Sequence, residues 1–307
     1  MRSQGPSGHE AGAWRHGHEP SVAAIAFGSL VIGVVVALIY LGASGAPFLL
    51  DDRPSILENP SLSAGPWSAA AWSPPSWSFT AGRPLLNWSF ALSASWGGLD
   101  AAGFRWLNVV LHALNALLLA ATVAELLRLP GNDAAVAARS RAVGFACGLL
   151  WAAHPAHTAA VTYVSQRAEV LMATFNLLTM LLFLPGLRSG RPIVWRCAVA
   201  AAFAAGVLVK ESVVSAPFVC LLVDWVYRRR SDGGGRGRAP WWDYAAFAPG
   251  FAMLAVSALV TALPARMAVD GAGWLNLRSA EVQVRALGHY LTVAVWPHPL
   301  VFRSEEH

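Results

Sequence analysis

The sequence predicts an all-α fold, a polytopic bundle of helices that spans a membrane. Hydrophobic residues make up 56% of the 307 residues and charged residues only 13%, which is about half the charged fraction of a soluble domain. The apolar residues form long blocks, and a helix of about 20 apolar residues is long enough to cross a bilayer. A soluble core of this size would need helices with alternating polar faces, so we favour an integral membrane protein.

Eight apolar segments are candidates for helices in the membrane. They lie approximately at residues 22–44, 104–127, 140–154, 164–187, 192–209, 212–227, 243–264 and 284–301. The first run is longer than the roughly 7–15 apolar residues of a signal peptide, so we favour an uncleaved span there over a cleaved leader. The last run contains His289 and Pro297 and is either a span or a helix at the membrane interface.

Arg residues cluster in alternate connections between these segments, before the first and after the second, fourth and sixth. Basic connections face the cytoplasm, so the sequence predicts a cytoplasmic N-terminus. The predicted organisation is a cytoplasmic tail at 1–21, a transmembrane module at 22–302 with an outer loop at 45–103, and a tail at 303–307. The net charge of +5 follows from this topology, so we expect the lipid bilayer as a partner and no nucleic acid.

The outer loop is rich in Trp, Ser and Pro, as in GPWSAAAWSPPSWSFTAGRP. Trp side chains are common at the level of the lipid headgroups. The stretch that follows, PLLNWSFALSASWGG, has the pattern of an amphipathic helix lying on the membrane surface. We therefore predict an interfacial helix within this first outer loop.

On this topology, ionisable side chains gather on the outer side of the membrane. They are Asp51, Asp52, Arg83, His154, His157, Arg167, Glu169, Lys210 and Glu211. Charged groups at membrane depth usually face a cavity or a partner, so their common side indicates a site for an anionic substrate attached to lipid. Taken singly, each has a structural explanation: the aspartates as the end of a span, Lys210 as part of a hairpin tip, and the histidines as interfacial residues.

Several stretches then occur in an informative order. They are FLLDDRPSILENP, RPLLNWSFALSASWGGLDAAGFRWLNVVLHALNALL, HPAHTAAVTYVSQRAEVLMATFNLL, KESVVSAPFVCLLVDW and YLTVAVWPHPLVF. Over residues 47–302 this arrangement resembles the membrane module of the C-type glycosyltransferase (GT-C) superfamily. The resemblance is greatest to the transmembrane and tetratricopeptide-repeat O-mannosyltransferase-like group and its bacterial relatives.

The resemblance implies a transferase that moves a sugar, with mannose the first candidate, from a polyprenyl-phosphate carrier to an acceptor hydroxyl of a protein or glycan on the exoplasmic side. Asp51 and Asp52 match the acidic motif of the family's first loop, where a carboxylate acts as the catalytic base or positions a metal ion or the acceptor. Adjacent carboxylates cannot point the same way on a regular element. We therefore expect one to face the site and the other a structural partner, and we favour Asp51 as the functional residue.

The donor phosphate leaves with negative charge, so cations should surround it. The implied donor-binding residues are Arg83, His154, His157, Arg167, Lys210 and Glu211, with Glu169 in support. A divalent metal ion held by Asp51 and His154 is a candidate cofactor, and no other cofactor is implied. The Arg-rich, Lys-poor composition favours a bacterial cytoplasmic membrane with the site facing the periplasm.

The chain also departs from the family pattern. Members often carry Glu after the HT of the His motif, where this chain has Ala159, and they continue into more spans and a tetratricopeptide array, so we expect this chain to be a fragment or a minimal paralogue. An alternative is therefore a non-catalytic membrane protein on the same scaffold, binding a lipid-linked sugar or a partner. A transporter is less favoured. Transporters place their charged binding residues near the bilayer midplane and often contain internal repeats, whereas the ionisable residues here are predicted at the outer side and no internal repeat is apparent.

Overall fold

The computed structural model describes residues 22–43, 45–129, 131–186, 192–231, 241–268 and 277–296. These ranges contain no strand, and short 3-10 or π turns join ten α-helices. The helices are α1 Val22–Tyr40, α2 Pro84–Gly97, α3 Ala101–Leu127, α4 Ala134–Ala152, α5 Thr158–Thr162, α6 Arg167–Gly186, α7 Pro192–Val207, α8 Ser215–Ser231, α9 Ala248–Ala268 and α10 Leu277–Val295. The all-α prediction is confirmed for this part of the chain, whereas both predicted tails lie outside the described residues.

Three stretches in the described ranges are long and apolar enough to cross a membrane. They are Val22–Ala43, Ala101–Leu127 and Val164–Gly186, and two shorter apolar helices cover Ile193–Val207 and Tyr244–Ser257. This is the pattern of a multi-pass membrane protein. Each of the eight predicted segments overlaps one of the helices, while the number that cross the bilayer stays a prediction.

Helix α3 lies at the centre of the first half of the bundle and packs against α1, α4 and α6. The carboxylate of Asp100 starts α3 by accepting a hydrogen bond from the backbone N–H of Ala102 at 3.3 Å, as an N-cap residue does. Three buried polar side chains of α3 then donate to backbone carbonyl oxygens: Asn108 to Val161 at 3.3 Å, His112 to Ala152 at 3.0 Å and Asn115 to Val170 at 2.8 Å. These bonds hold the end of α4, helix α5 and the start of α6 against α3.

Small residues allow α3 and α4 to approach closely. Gly144 and Gly148 of α4 are buried against Ala116 and Ala120 of α3. Such spacing of small residues lets helix backbones meet in membrane proteins, where packing and not burial from water drives association. A Cβ added at Gly148 would lie 2.5 Å from the carbonyl oxygen of Ala116, so no larger residue fits without moving a helix.

We therefore expect Gly148→Ala to lower the free energy of unfolding by about 2 kcal/mol, the usual size of an overpacking penalty. Thermal unfolding of the purified chain in detergent, followed by circular dichroism, measures the change. Gly33→Ala is the matched control, because a Cβ at that helical glycine meets nothing within 4 Å and alanine is the better helix former. Equal melting temperatures for the two variants would contradict this account of the α3–α4 contact.

The outer loop folds into a cap over the ends of α3 and α6. Its core includes Ile56, Leu62, Leu86, Phe90 and Phe104. The helix predicted in this loop is present as α2, but its Leu86 and Phe90 face is enclosed by the cap. An interfacial helix would bury that face in lipid. Helix α2 can therefore contact a membrane only through its exposed residues, such as Trp96, which is 72% exposed.

Candidate functional site

The two adjacent aspartates follow α1 and point into different surroundings. Asp52 is fully buried, and its carboxylate accepts hydrogen bonds from the backbone N–H groups of Ser165 at 2.7 Å and Leu49 at 3.0 Å. Asp51 is exposed, and its backbone N–H donates to the hydroxyl of Tyr163 at 2.8 Å. The structure thus gives Asp52 a structural position and leaves the Asp51 carboxylate facing outward.

A strained backbone turn precedes the pair. Leu50 has a φ of 36°, in the left-handed region that residues with a Cβ rarely adopt. Such a conformation costs about 1–3 kcal/mol and persists only where surrounding contacts enforce it. Here those contacts are the hydrogen bonds from the Leu49 N–H to Asp52 and from the Asp51 N–H to Tyr163, so the strain accompanies the placement of one carboxylate inside and one outside.

Arg105 is a neighbour of Asp52 that sequence reasoning missed. It is buried on α3, and its guanidinium donates to the carbonyl oxygens of Thr162 at 2.9 Å and of Ala46 and Pro47. Burial raises the pKa of Asp52, while the two N–H donors and the charge of Arg105 oppose that rise. A signal for Arg105 was present in the sequence, because it is a charged residue inside a predicted span. Such a residue is a candidate functional residue by its position alone.

Arg167 has a different position from the one expected of a donor-binding residue. Its side chain is completely buried and lies over the rings of Phe90 and Phe104 at 4.7 and 5.4 Å. It donates four hydrogen bonds of 2.7–2.9 Å, to Oδ1 of Asn108, Oγ of Ser93 and the carbonyl oxygens of Ser89 and Phe104. A guanidinium enclosed in this way cannot reach a phosphate, so we leave Arg167 out of the proposed donor site.

The other two expected cations each pair with a carboxylate. The Lys210 ammonium forms an ion pair with Glu169 at the start of α6, and its side chain is 20% exposed. Arg83 donates through Nη2 to both carboxylate oxygens of Glu211, at 3.1 and 3.3 Å. The Leu85 N–H also donates to the carbonyl oxygen of Leu208 at 3.1 Å, which fixes the start of α2 beside the end of α7. Lys210 and Arg83 therefore lie on adjoining elements.

One short stretch connects the aspartates to these ion pairs. Tyr163 and Ser165 contact the aspartate pair, and Glu169 contacts Lys210. Ser165 and Glu169 are separated by about one helical turn. The structure therefore brings six predicted residues into one chain of contacts at the same end of the bundle: Asp51, Asp52, Glu169, Lys210, Glu211 and Arg83.

The two predicted histidines belong to an aromatic cluster beside that chain of contacts. The His157 ring lies 4.2 Å from Trp151 and 5.3 Å from His112 between ring centroids. Burial, together with the nearby His112 and His154, lowers the pKa of His157 to about 4, so it is neutral at neutral pH. Nδ1 of His154 accepts a hydrogen bond from the Ala156 N–H at 3.2 Å. The described contacts of both histidines are thus with rings and backbone, and not with Lys210 or Arg83.

The residues considered for a metal ion do not form a complete ligand set. Within the described ranges, no group of three or more His, Cys, Asp or Glu side chains is arranged to hold a metal ion. Of the two candidate ligands, His154 already uses Nδ1 to accept a backbone hydrogen bond, and Asp51 is exposed. We therefore derive no chemical step through a metal here.

Comparison with known proteins gives several similar sequences. The chain is 37% identical over 201 residues, 61% of its length, to "Protein O-mannosyl-transferase Tmtc2" of Drosophila melanogaster, of which the match covers 20%. It is 32% identical over 197 residues to "Protein O-mannosyl-transferase Tmtc1" of the same organism, covering 61% of this chain and 21% of that protein. It is 30% identical over 174 residues to "Protein O-mannosyl-transferase TMTC4" of Mus musculus, covering 53% and 23%.

These matches span about a fifth of the length of each relative. No family model matches the chain, and no solved structure matches it. The matches do agree with the resemblance carried by the acidic, His-Pro and Lys-Glu motifs. Over about half of its length, the chain is homologous to the TMTC protein O-mannosyl-transferases, whose GT-C membrane module its motifs resemble.

Proposed function

We propose that this chain forms the membrane module of a glycosyltransferase. It transfers a sugar, with mannose the first candidate, from a polyprenyl-phosphate carrier to a hydroxyl of a protein acceptor on the exoplasmic side. Homology to protein O-mannosyl-transferases supports the reaction class and the choice of sugar. The structural observation that carries the proposal is the exposed Asp51 carboxylate next to the buried, anchored Asp52, with two ion-paired cations at the same end of the bundle.

In the proposed chemistry the Asp51 carboxylate acts on the acceptor, and the two cations act on the phosphate of the donor. The acceptor oxygen attacks the anomeric carbon while the Asp51 carboxylate removes its proton, and the bond from that carbon to the phosphate oxygen breaks. General-base help of this kind contributes about 10²–10⁴-fold. The polyprenyl phosphate leaves with an additional negative charge, and in this proposal Lys210 and Arg83 stabilise that charge by charge-assisted hydrogen bonds.

Both cations are paired with carboxylates in the ligand-free chain. Glu169 and Glu211 hold the Lys210 and Arg83 side chains in place, and the donor phosphate would compete with them for the same N–H donors. Such pairs are only part-buried, so the carboxylates are weak competitors in a surface dielectric. In this proposal Glu169 and Glu211 keep the cations oriented until the phosphate arrives.

The direct test is transfer of radiolabelled mannose from polyprenyl-phosphate mannose to protein in sealed membrane vesicles containing the chain. We expect transfer where the donor reaches the face that carries Asp51, which the Arg distribution predicts to be the periplasmic face with the N-terminus cytoplasmic. Vesicles of both orientations distinguish the faces. A chain that binds the donor and transfers no sugar would instead support the non-catalytic alternative, which the Ala159 departure favours.

Lys210→Ala is expected to weaken binding of polyprenyl-phosphate mannose about tenfold, since a hydrogen bond to a charged group is worth about 1.5–3 kcal/mol. The measurement is a donor titration of the purified chain in detergent. Arg285→Ala is the matched control, because Arg285 is also paired with a glutamate but is 79% exposed on α10. Equal weakening by both variants would remove Lys210 from the donor site.

A further inference from the structure

A cavity lies at the end of the bundle opposite to the candidate site. Its volume is about 380 Å³, within the range of roughly 300–1,000 Å³ that ligand pockets occupy. It is lined by the first half of α1, the second half of α3, the first part of α4 and Leu181 of α6, with Ile25, Ala121 and Phe145 among the lining residues. The Arg distribution predicts that this end faces the cytoplasm.

The cavity has an apolar wall and a positively charged rim. The apolar wall includes Ile25, Leu117 and Phe145, and the charged lining residues Arg128, Arg141 and Glu125 are called the rim. Arg128 is paired with Glu125 at 3.1 Å. Arg141 has no carboxylate or hydrogen-bonding partner among the described residues. The rim therefore contains two guanidinium groups and one carboxylate, which gives it a net positive charge.

We propose that this cavity binds one anionic phospholipid, with its phosphate at Arg128 and Arg141 and an acyl chain along the apolar wall. Basic pockets between membrane helices on the cytoplasmic side are suited to acidic lipid headgroups, and guanidinium groups match phosphate oxygens in geometry. A soluble phosphate would use only the rim, whereas a lipid fills both parts of the cavity. The proposal does not depend on sugar transfer, because this cavity and the Asp51 site lie at opposite ends of α3.

The test is native mass spectrometry of the purified full chain titrated with dioleoyl phosphatidylglycerol. We expect one tightly bound molecule, and weaker binding of dioleoyl phosphatidylcholine, which carries the same chains and no net charge. Arg141→Gln should weaken phosphatidylglycerol binding about fivefold or more, the value of one basic residue near an acidic lipid surface. Arg141→Lys should retain most of the binding because it keeps the charge.

Arg139→Gln is the matched control, because it removes the same charge from an exposed position of the same helix. It should leave binding within about twofold of the unmodified chain, a change under 0.5 kcal/mol. Ala121→Leu, which places a larger side chain in the apolar part, should weaken binding without changing the charge. Equal loss in the Arg139 and Arg141 variants, equal binding of the two lipids, or competition by inorganic phosphate at equal concentration would each overturn the proposal.

Discussion

Replacing Asp51 by Asn is expected to lower sugar transfer at least about 100-fold, the lower range of what general-base catalysis contributes. Asn keeps the size of the side chain but cannot take the proton of the acceptor hydroxyl. Because the Asp51 side chain is exposed and its structural bond runs through the backbone N–H, the variant should fold and accumulate normally. Donor binding should also persist, since the proposed phosphate contacts are those of Lys210 and Arg83.

The neighbouring carboxylate provides the comparison that makes this prediction specific. Asp52→Asn would turn an amide NH₂ toward one of two backbone N–H donors, which leaves a buried donor without an acceptor at a cost of about 1–3 kcal/mol. We therefore expect Asp52→Asn to reduce the amount of folded chain, and Asp51→Asn to reduce transfer at unchanged abundance. Transfer from radiolabelled donor, with protein level measured by blot, separates the two. Normal transfer by Asp51→Asn would show that this aspartate only ends the first span.

Arg167→Met should lower the free energy of unfolding by at least about 3 kcal/mol, because it leaves several buried acceptors without a donor and each costs about 1–3 kcal/mol. Met fills the space of the aliphatic stem but donates nothing to Asn108 or to the carbonyl oxygens of Ser89 and Phe104. Removing a buried cation also relieves its desolvation penalty, so the net loss is smaller than the sum of four hydrogen bonds.

The measurement is thermal unfolding in detergent, with Arg53→Met as the control. Arg53 is 74% exposed and pairs with Glu58, and exposed pairs of this kind contribute little to stability. Both substitutions replace one Arg at the same end of the bundle, so a difference between their melting temperatures reports the buried network of Arg167. If the Arg167 variant melts at the same temperature as the Arg53 variant and instead loses donor binding, the residue belongs to the donor site after all.

The helical architecture was accessible from sequence because the apolar blocks are long and separated by charged clusters. The prediction placed a helix at α2 from the pattern of PLLNWSFALSASWGG, and the helix is present at Pro84–Gly97. The pattern could not show which partner covers its apolar face, because a bilayer and a folded outer loop both accept Leu86 and Phe90. Tertiary packing within the cap, and not hydropathy, decided that question.

The site was predicted less completely, for a physical reason that differs from residue to residue. The predicted topology placed the ionisable residues on one side of the membrane. It could not show which of them form ion pairs, because the paired residues are 41 and 128 positions apart in sequence. Arg167 was assigned to the donor site because position along a span does not distinguish a side chain facing a ligand from one facing Asn108. Arg105 was missed because it lies inside a run that was treated as apolar.

The contacts of the stretch from Tyr163 to Glu169 have a thermodynamic consequence for ligand binding. One end of the stretch holds the aspartate pair and the other end holds Lys210, so a ligand that draws Lys210 away from Glu169 acts on the same segment that fixes Asp52. If the proposed donor and acceptor both bind here, their affinities are linked. Such linkage is reciprocal: the factor by which donor changes acceptor affinity equals the factor by which acceptor changes donor affinity. Titration of each ligand in the presence of the other measures that factor, and a value of one would show that the two ends of the stretch act independently.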